Sequence, residues 1–471
     1  MAILSLEKEP SKVPSKTITS YLNEDYKEYA MYVLQSRAIP SIIDGFKPTQ
    51  RKIIAQAIKL WKGTGSEKAM KVFQLSGSVA QNMYYHHGSA SLEAAIINMA
   101  QRFKNNMPLL EDKGQYGSLR SPDAGAARYI ETRLTENFRL LYKDFELLSP
   151  NYEEGVEIEP NYFLPIIPTI LLNGSQGIAV GFSSKILNRD PKLLIEECLR
   201  FLEGKKVRDV PPTQREFNGT YEQDIDNPKK WNIKGKYTLN GNMITISELP
   251  PSITYENYDE LMDELMNDKY DKKGKLKRTK LIDMYTDNSS SNINYVAKIN
   301  KNELAKYTED ALVKIFRLEE SVTENFTMLN ENGELSIFNN SSEIIEYFCN
   351  FRLSYYDKRK AYLLSKIEKD LNISDAKARF INAILKGDLK INNVAKATIV
   401  TYLEKNKYFK LEDTYDYLLR MPIHSLTKEM CQKLMEDIKI KKAELGEMKK
   451  ADPKQMYRED LMELRRKINK Q

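Results

Sequence analysis

YYHHGSASLEAAIINMAQRF, Tyr84 to Phe103, breaks at Gly88 and then repeats apolar residues at Leu92, Ile96, Met99 and Phe103, steps of three or four. Ser89 can supply an N-cap oxygen, so the spacing predicts a helix over 89–103. Upstream, Phe73 to Met83 reads as a second helix, and Pro48 can occupy the first turn of another running through Ile58, entered by a turn at Asp44-Gly45. Earlier still, Leu22, Tyr26, Tyr29 and Val33 suit a helix from Tyr21 to Gln35 that ends before Pro40. Helices this closely spaced, followed by a turn-rich segment, fit a helix-turn-helix.

Beyond the turn-rich segment lies AARYIETRL, Ala126 to Leu134, with Arg128 directly before Tyr129. A phenol with a reference pKa near ~10 is a weak nucleophile at neutral pH and needs a base, a cation or a metal to help it. Attack on a phosphodiester builds negative charge that a neighbouring guanidinium can stabilise with paired hydrogen bonds. Taken alone, Tyr129 is one of 28 tyrosines and reads as a core side chain, so its flanks decide.

Those flanks form an ordered series. SRAIPSIIDGFKPTQRKI (Ser36 to Ile53), YYHHGSASLEAAIINMAQRF, GQYGS (Gly114 to Ser118) and AARYIETRL are followed by EPNYFLPIIPTILLNGSQGIAVGFSSKI (Glu159 to Ile186), ISELPPSITYENY (Ile246 to Tyr258) and FCNFRLSYYDKRKAYLL (Phe348 to Leu364). Together they resemble the breakage-reunion subunit of type IIA DNA topoisomerases, from about residue 20 to the C-terminus, most weakly in the middle. HHG without an intervening proline is more similar to the eukaryotic and T4-type phage enzymes than to bacterial gyrase. A chain ending after its last helical region resembles the separate medium subunits of the T4-type enzymes.

The resemblance implies a multidomain α+β fold: a flexible N-terminal arm over 1–20, a winged-helix (CAP-like) DNA-gate domain over 21–160, an α/β tower over 161–341, and a coiled-coil and C-gate dimerisation domain over 342–471. Tyr129 matches the nucleophile that forms a 5′-phosphotyrosyl bond, Arg128 the adjacent charge stabiliser, and His87 and Arg37 two further catalytic groups. Lys47 and Arg51 match phosphate contacts, although a lone basic pair would more often be a solvated helix face. Ile178 matches a wedge that enters between base pairs; without the resemblance it reads equally as a buried strand residue. His86 is carried among the DNA-binding candidates, with packing as its other reading, and His424 reads as structural.

The rest of the chain agrees in character. NMITIS (Asn242 to Ser247) alternates, NYVAKI (Asn294 to Ile299) is β-rich, and Asn332-Gly333 sits as a hairpin turn between Phe326 to Leu329 and Leu335 to Phe338. From Ser342, Ile345, Phe348, Arg352, Tyr355, Arg359, Tyr362, Lys366 and Lys369 advance at helical spacing with mixed polarity, as in a partly exposed antiparallel coiled coil. Helices over Thr427 to Lys450 and after Pro453 can return alongside it, and the resemblance places a helical C-gate tip at about 373–425.

A length of 471 residues predicts two to four domains, and a net charge of +6 permits local basic patches without demanding them. Cys198, Cys349 and Cys431 form no CxxC pair, which suggests a reducing compartment without structural zinc. The N-terminus lacks signal or transit features, and FLPIIPTILL (Phe163 to Leu172) is too short and proline-broken to span a bilayer, so a cytoplasmic, DNA-associated protein is expected, in the host cytoplasm if phage-encoded.

GTGS (Gly63 to Ser66) lacks the ending of a P-loop, and Asp224-Ile225-Asp226 lacks the context of a magnesium-binding Toprim domain. The resemblance therefore implies ATPase/Toprim partner subunits that hydrolyse ATP and bind Mg²⁺, with double-stranded DNA as substrate and this chain as a homodimer in a heteromeric complex. Leu187 stands where the family usually has a proline, which leaves the path after Ile186 open. Ala90 and Ala94 replace the serine and acid that hold quinolones in bacterial enzymes, so weak quinolone sensitivity is expected. No gyrase-type wrapping domain is evident, favouring relaxation over supercoiling. Two other classes remain: a tyrosine recombinase, whose nucleophile lies later in its catalytic domain, and a non-catalytic architectural DNA-binding protein.

Overall fold

The computed structural model describes residues 17–64, 66–270, 275–290 and 292–470. Most of the arm expected over 1–20 lies outside them. Two compact units result: one holds the chain up to Lys143 and Leu148–Cys349, the other Asp144–Leu147 and Asn350–Gln471.

The first unit begins with a helical run through Ile18–Tyr21, Leu22–Tyr26, Lys27–Val33 and Leu34–Ala38, the second and fourth segments π-helical. Ile39 N donates to Leu34 O, and the extended backbone at Ile39 before Pro40 ends the run. A tight turn follows. Gly45 has φ +73°, and a Cβ there would lie 2.7 Å from Ile170 N, so both conformation and space demand glycine.

Asp44, inside this turn, is fully buried and holds four separate segments. Its Oδ1 accepts from Phe46 N and Arg51 Nη2 at 3.0 Å each, and its Oδ2 from Arg51 Nε at 2.7 Å and Phe163 N at 3.0 Å. Its carbonyl accepts from the Tyr142 and Thr169 hydroxyls. Around it Phe46 and Phe138 stack on Tyr142, with Phe163 edge-on.

Helix α1 (Pro48–Leu60) starts with its proline in the first turn, and Ile53, Ile54 and Ala57 on one face are fully buried. Strand β1 (Met70–Lys71) leads into α2 (Val72–Asn82), and α3 (Ser89–Ala100) follows with Leu92, Ile96 and Met99 inward. The expected Ser89 cap is corrected: Gly88 is the N-cap residue, with extended backbone, and Ser89 is the first helical residue. The helix also stops at Ala100 instead of Phe103. Gln101 turns extended and its side-chain amide donates to Tyr116 O and Pro122 O, while Phe103 still packs in the core.

Strand β2 (Glu131–Thr132) pairs with β1, and β3 (Ser175–Ile178) with β4 (Ser183–Ile186). Leu187, after β4, donates its N–H to Glu324 Oε1 at 2.8 Å, a bond that proline could not make. Glu324 also takes a bidentate pair from Arg189 and the indole N–H of Trp231, and both ion-pair side chains are about 1 % exposed.

Strands β5 (Thr220–Gln223), β6 (Lys230–Lys234) and β11 (Glu319–Thr323) form one antiparallel sheet in the order β11-β6-β5. Strands β7 (Lys236–Asn240), β8 (Met243–Glu248), β9 (Ile282–Asp287) and β10 (Tyr295–Ile299) form another, in the order β9-β10-β8-β7. Helix α4 (Tyr255–Leu265) packs Tyr258, Leu261 and Met262 with Ile244, Ile246 and Tyr295 of this sheet. Strands β12 (Phe326–Leu329) and β13 (Leu335–Phe338) pair as the Asn332-Gly333 turn predicts, with Gly333 at φ +77°.

In the second unit, α5 (Ser341–Lys386) contributes its part from Asn350 onward. Helix α6 (Lys396–Lys405) contributes Ile399 and Leu403 to a small apolar cluster with Phe380 and Leu418. Helix α7 (Lys428–Lys450), capped by the Thr427 hydroxyl, returns antiparallel to α5: Ser374 meets Asp437, Glu368 meets Lys449, and Lys360 meets Ala451 O. Helix α8 (Pro453–Ile468) stacks Tyr457 on Tyr356 and offers Asp460 to Tyr356 and Arg359.

Replacing Asp44 with alanine strands the Arg51 charge in the core and unties the turn. The expected loss is about 3–5 kcal/mol, read as a lower urea midpoint, and a midpoint within experimental error of the parent contradicts the role given to Asp44.

Candidate functional site

A cavity of about 540 Å³ in the first unit gathers residues from five places in the sequence. Arg37 comes from the last π-helical turn, Lys47 from the cap of α1, His87 from the segment before α3, Asn98 from α3, and Gln176 from β3. Arg37 and His87 are exposed, whereas Lys47 is half-buried. The Lys47 ammonium donates to Gln176 O at 2.7 Å, and burial lowers its pKa below the usual lysine value. The His87 imidazole sits edge-on to Tyr85 with centroids 5.4 Å apart.

Main-chain contact locks β3 to this group. A Cβ at Gly177 would fall 2.0 Å from Ala38 O and 3.3 Å from Lys47 Nζ, so only glycine lets the strand lie against the helix end that carries Arg37. The next residue, Ile178, is 80 % exposed at the tip of the β3-β4 hairpin. That disposes of the buried-strand reading.

Tyr129 and Arg128 do not line the cavity. They occupy a turn whose Ala127 and Ile130 carbonyls accept the first two N–H groups of α2, from Phe73 and Val72, at 3.1 Å each. The helix terminus thus satisfies its orphan donors by holding the turn. Pairing of β1 with β2 secures the far side. Tyr129 is 72 % exposed, and the Arg128 guanidinium lies 5.0 Å from its ring centroid. Among the described residues no side chain hydrogen-bonds the Tyr129 hydroxyl, which leaves it open to an incoming electrophile.

Arg51 is corrected from the surface to the interior. Its side chain is buried and its guanidinium is committed to Asp44 and Phe46 O, so in this structure it stabilises the turn and presents no free cation. His86 is not packed in a core: its side chain is 70 % exposed, with Nε2 3.0 Å from Glu153 Oε1, beside a second cavity of about 420 Å³ that His87 also lines. Next to it Lys52 bridges Met83 O and Glu159, whose carboxyl is pushed up by burial despite that cation.

Sequence reading missed Ser91, Asn98 and Lys104 on the cavity wall. The signal was available in part: Ser91, Ala95 and Asn98 recur at helical spacing on the face next to that of Leu92 and Ile96. Lys104, past the helix, reaches back to Asn98 Oδ1 at 2.6 Å, which no local pattern announces. Ala90 and Ala94 are exposed on α3. Among the described residues, no group of three or more His, Cys, Asp or Glu side chains is arranged to hold a metal ion, and no helix is long and apolar enough to cross a membrane.

The family model for the A subunit of DNA gyrase/topoisomerase IV matches residues 37–463. DNA topoisomerase 2 of Plasmodium falciparum (isolate K1 / Thailand) is 33% identical over 94% of this chain, which spans 34% of that protein. The DNA topoisomerase medium subunit of Enterobacteria phage T4 is 31% identical over 96% of this chain and 99% of its own length. Among solved structures, the Plasmodium falciparum topoisomerase II DNA-binding, cleavage and re-ligation domain superposes with a TM-score of 0.83 at 34% identity, covering 95% of this chain and 65% of that one. The chain thus spans about a third of the first two curated relatives and nearly all of the phage protein.

Gly177→Ala must push β3 off the Ala38 carbonyl. We expect a stability loss of about 1–3 kcal/mol and faster amide exchange across β3 and β4. Gly446→Ala, at a position with open space within α7, should show neither; unchanged exchange in the Gly177 variant would contradict the close approach.

Proposed function

Because the chain belongs to the family of DNA gyrase/topoisomerase IV A subunits, we propose that it is the DNA-cleaving and rejoining subunit of an ATP-dependent type IIA topoisomerase. The observation that carries this reading is the exposed Tyr129 with Arg128 over its ring, on a turn fixed by the start of α2. The Tyr129 oxygen attacks a DNA phosphorus, the bond from phosphorus to the 3′ oxygen breaks, and the 5′ phosphate stays on the tyrosine. The phenol proton passes to solvent or a base, and the departing 3′ oxygen takes one up. Each diester is exchanged for another, so resealing by the 3′-hydroxyl needs no external energy. A cut of both strands lets a second duplex pass, giving relaxation and decatenation.

Arg128 stabilises charge on the phosphoryl oxygens. Arg37 and His87 hold phosphate from the cavity side, the imidazole accepting or donating a hydrogen bond according to its protonation. Lys47 neutralises backbone phosphate, Ile178 unstacks a base step, and His86 meets the DNA at the rim. Arg51 serves this surface through Asp44.

In architectural terms the reading makes residues 21–160 a winged-helix gate domain, 161–341 a tower, and 342–471 a coiled coil with a dimerising C-gate tip. The relative called a medium subunit works, by its name, beside other subunits. The corresponding partners here are ATPase/Toprim chains and a second copy of this chain, acting on DNA in the cytoplasm. Mg²⁺ would be held by a partner's Toprim domain and would supply Lewis-acid chemistry at the scissile phosphate; among the described residues of this chain no cluster of metal ligands is present.

With partner subunits, supercoiled DNA and Mg²⁺, detergent trapping should yield protein joined to 5′ ends. Tyr129→Phe should bind DNA normally and yield no adduct; an undiminished adduct assigns the nucleophile elsewhere, and binding without an adduct from the parent chain points to an architectural role.

Lys47 makes a separate prediction. Its ammonium loses its proton at a lower pH than an ordinary lysine because burial disfavours the charge, and only the charged form pairs with phosphate. DNA affinity should therefore fall as pH rises through that depressed value. Lys47→Arg should flatten this dependence, and Lys47→Met should reduce the salt slope by about one. A Lys47→Met variant with the parent's salt slope would remove Lys47 from the DNA surface.

A further inference from the structure

Phe73 is 59 % exposed although it is the second residue of α2. Its backbone N–H holds Ala127 O at 3.1 Å, and the preceding residues Met70 and Lys71 pair with Thr132 and Glu131. Main-chain bonds therefore fix the position of Phe73 beside the Tyr129 turn, while the side chain is left mostly bare. One helical turn further along the same exposed face stands Gly77, where a Cβ would meet nothing within 4 Å, so that position offers the ring no cover. Single exposed apolar side chains are common on protein surfaces; what distinguishes Phe73 is its fixed place beside the Tyr129 turn and the charges around it.

The charges around it select the occupant. Lys71, Lys113 and Arg128 are exposed cations on this side of the unit. The acid among them, Glu131, is bonded to Lys113 at 2.6 Å; that bond, helped by Lys71 and Lys68, holds its carboxyl below the usual range. A bare aromatic ring among cations matches a polyanion that also presents π faces. A second copy of the chain would bring the same cations against these.

We propose that Phe73 is a specificity-determining DNA contact, its ring stacking on a base beside the phosphodiester that Tyr129 attacks. The inference rests on the cleavage reading above and goes beyond it, since none of the roles already assigned to Tyr129, Arg128, Arg37, His87 or Ile178 concerns which bases flank the cut. Stacking on an aromatic ring is tolerant of base identity but strongest for bases with large π faces, so a preference should appear at one position next to the break.

The test uses the full chain with its partner subunits. Sequencing the 5′-linked ends should show a base preference at one flanking position in the parent. Phe73→Ala keeps the backbone bond to Ala127, and should flatten that preference and lower adduct yield at the strongest sites about tenfold, the scale of one stacking contact. Phe73→Trp should retain both. An unchanged preference in Phe73→Ala overturns the proposal, and so does a uniform loss at all sites with the preference intact, which signifies a structural or copy-to-copy role.

A second measurement is independent of cleavage. A duplex carrying 2-aminopurine, scanned across the central steps, should change its fluorescence on binding Tyr129→Phe protein and not the Tyr129→Phe, Phe73→Ala double variant. Equal signals from the two overturn the stacking contact. Failure of the cleavage reading is recognised separately, by a parent chain that forms no adduct while the fluorescence difference persists.

Discussion

One buried carboxylate organises the part of this chain that carries the candidate site. Asp44 sits between the helix end that carries Arg37 and the helix start that carries Lys47, and its two oxygens and its carbonyl bind the turn, α1, Phe163, Tyr142 and Thr169 at once. A carboxylate removed from water is costly unless every lone pair is used, and here Arg51 supplies both the countercharge and a planar fork that suits it. The expected division of labour between two neighbouring cations is thereby split. Lys47 is drawn toward the cavity by Gln176 O, and Arg51 is consumed inside. A single ion pair decides which cation is available to a ligand.

Around that anchor the candidate site is assembled as two pieces. Arg37, Lys47 and His87 share a cavity, while Tyr129 and Arg128 stand on a separate turn held by the first N–H groups of α2. The physical consequence concerns Tyr129, the proposed nucleophile. An exposed phenol without a hydrogen-bond partner among the described residues is unactivated by this chain's own side chains, and Arg128 over its ring offers a cation to the phosphate that arrives. Under the proposed function, chemistry that must not run idle is well served by a tyrosine completed only when DNA and the groups of other chains are in place. The geometry contains the binding elements in finished form and leaves the reacting atom bare.

Much of the local structure was legible because its causes are local. The Asn332-Gly333 hairpin and the helices beginning near Thr427 and Pro453 all follow from preferences within a few residues. Errors fall where a distant partner decides. Gln101 leaves its helix for carbonyls of Tyr116 and Pro122, and Arg51 turns inward to an aspartate seven residues away whose other partners, Phe46 apart, lie beyond residue 140. Leu187 is the plainest instance: its N–H is needed by Glu324, and no reading of the segment around it reveals that requirement. The candidate site residues were read from ordered motifs, but the exposure of His86 and the cavity-lining position of Lys104 depend on chain segments that converge only in the fold.

The same contrast separates stability from function among the arginines. Arg189 and Arg352 are fully buried, and each meets an acid far away in sequence, Glu324 for the first and Asp144 for the second. Arg352 leaves Nε and Nη1 without hydrogen-bond partners, and its guanidinium lies 4.5 Å from the Tyr356 ring centroid, so a π face partly replaces the missing acceptors. These residues satisfy the interior at the cost of availability. Ile178, Tyr129 and Arg128 do the reverse: each is held by well-bonded backbone and none is covered. Other apolar side chains are exposed too, Ile225 and Ile423 among them, so what sets Ile178 and Tyr129 apart is the bonded backbone that presents them. Under the proposed function DNA is the surface that covers them, and Arg128 beside Tyr129 meets its phosphates.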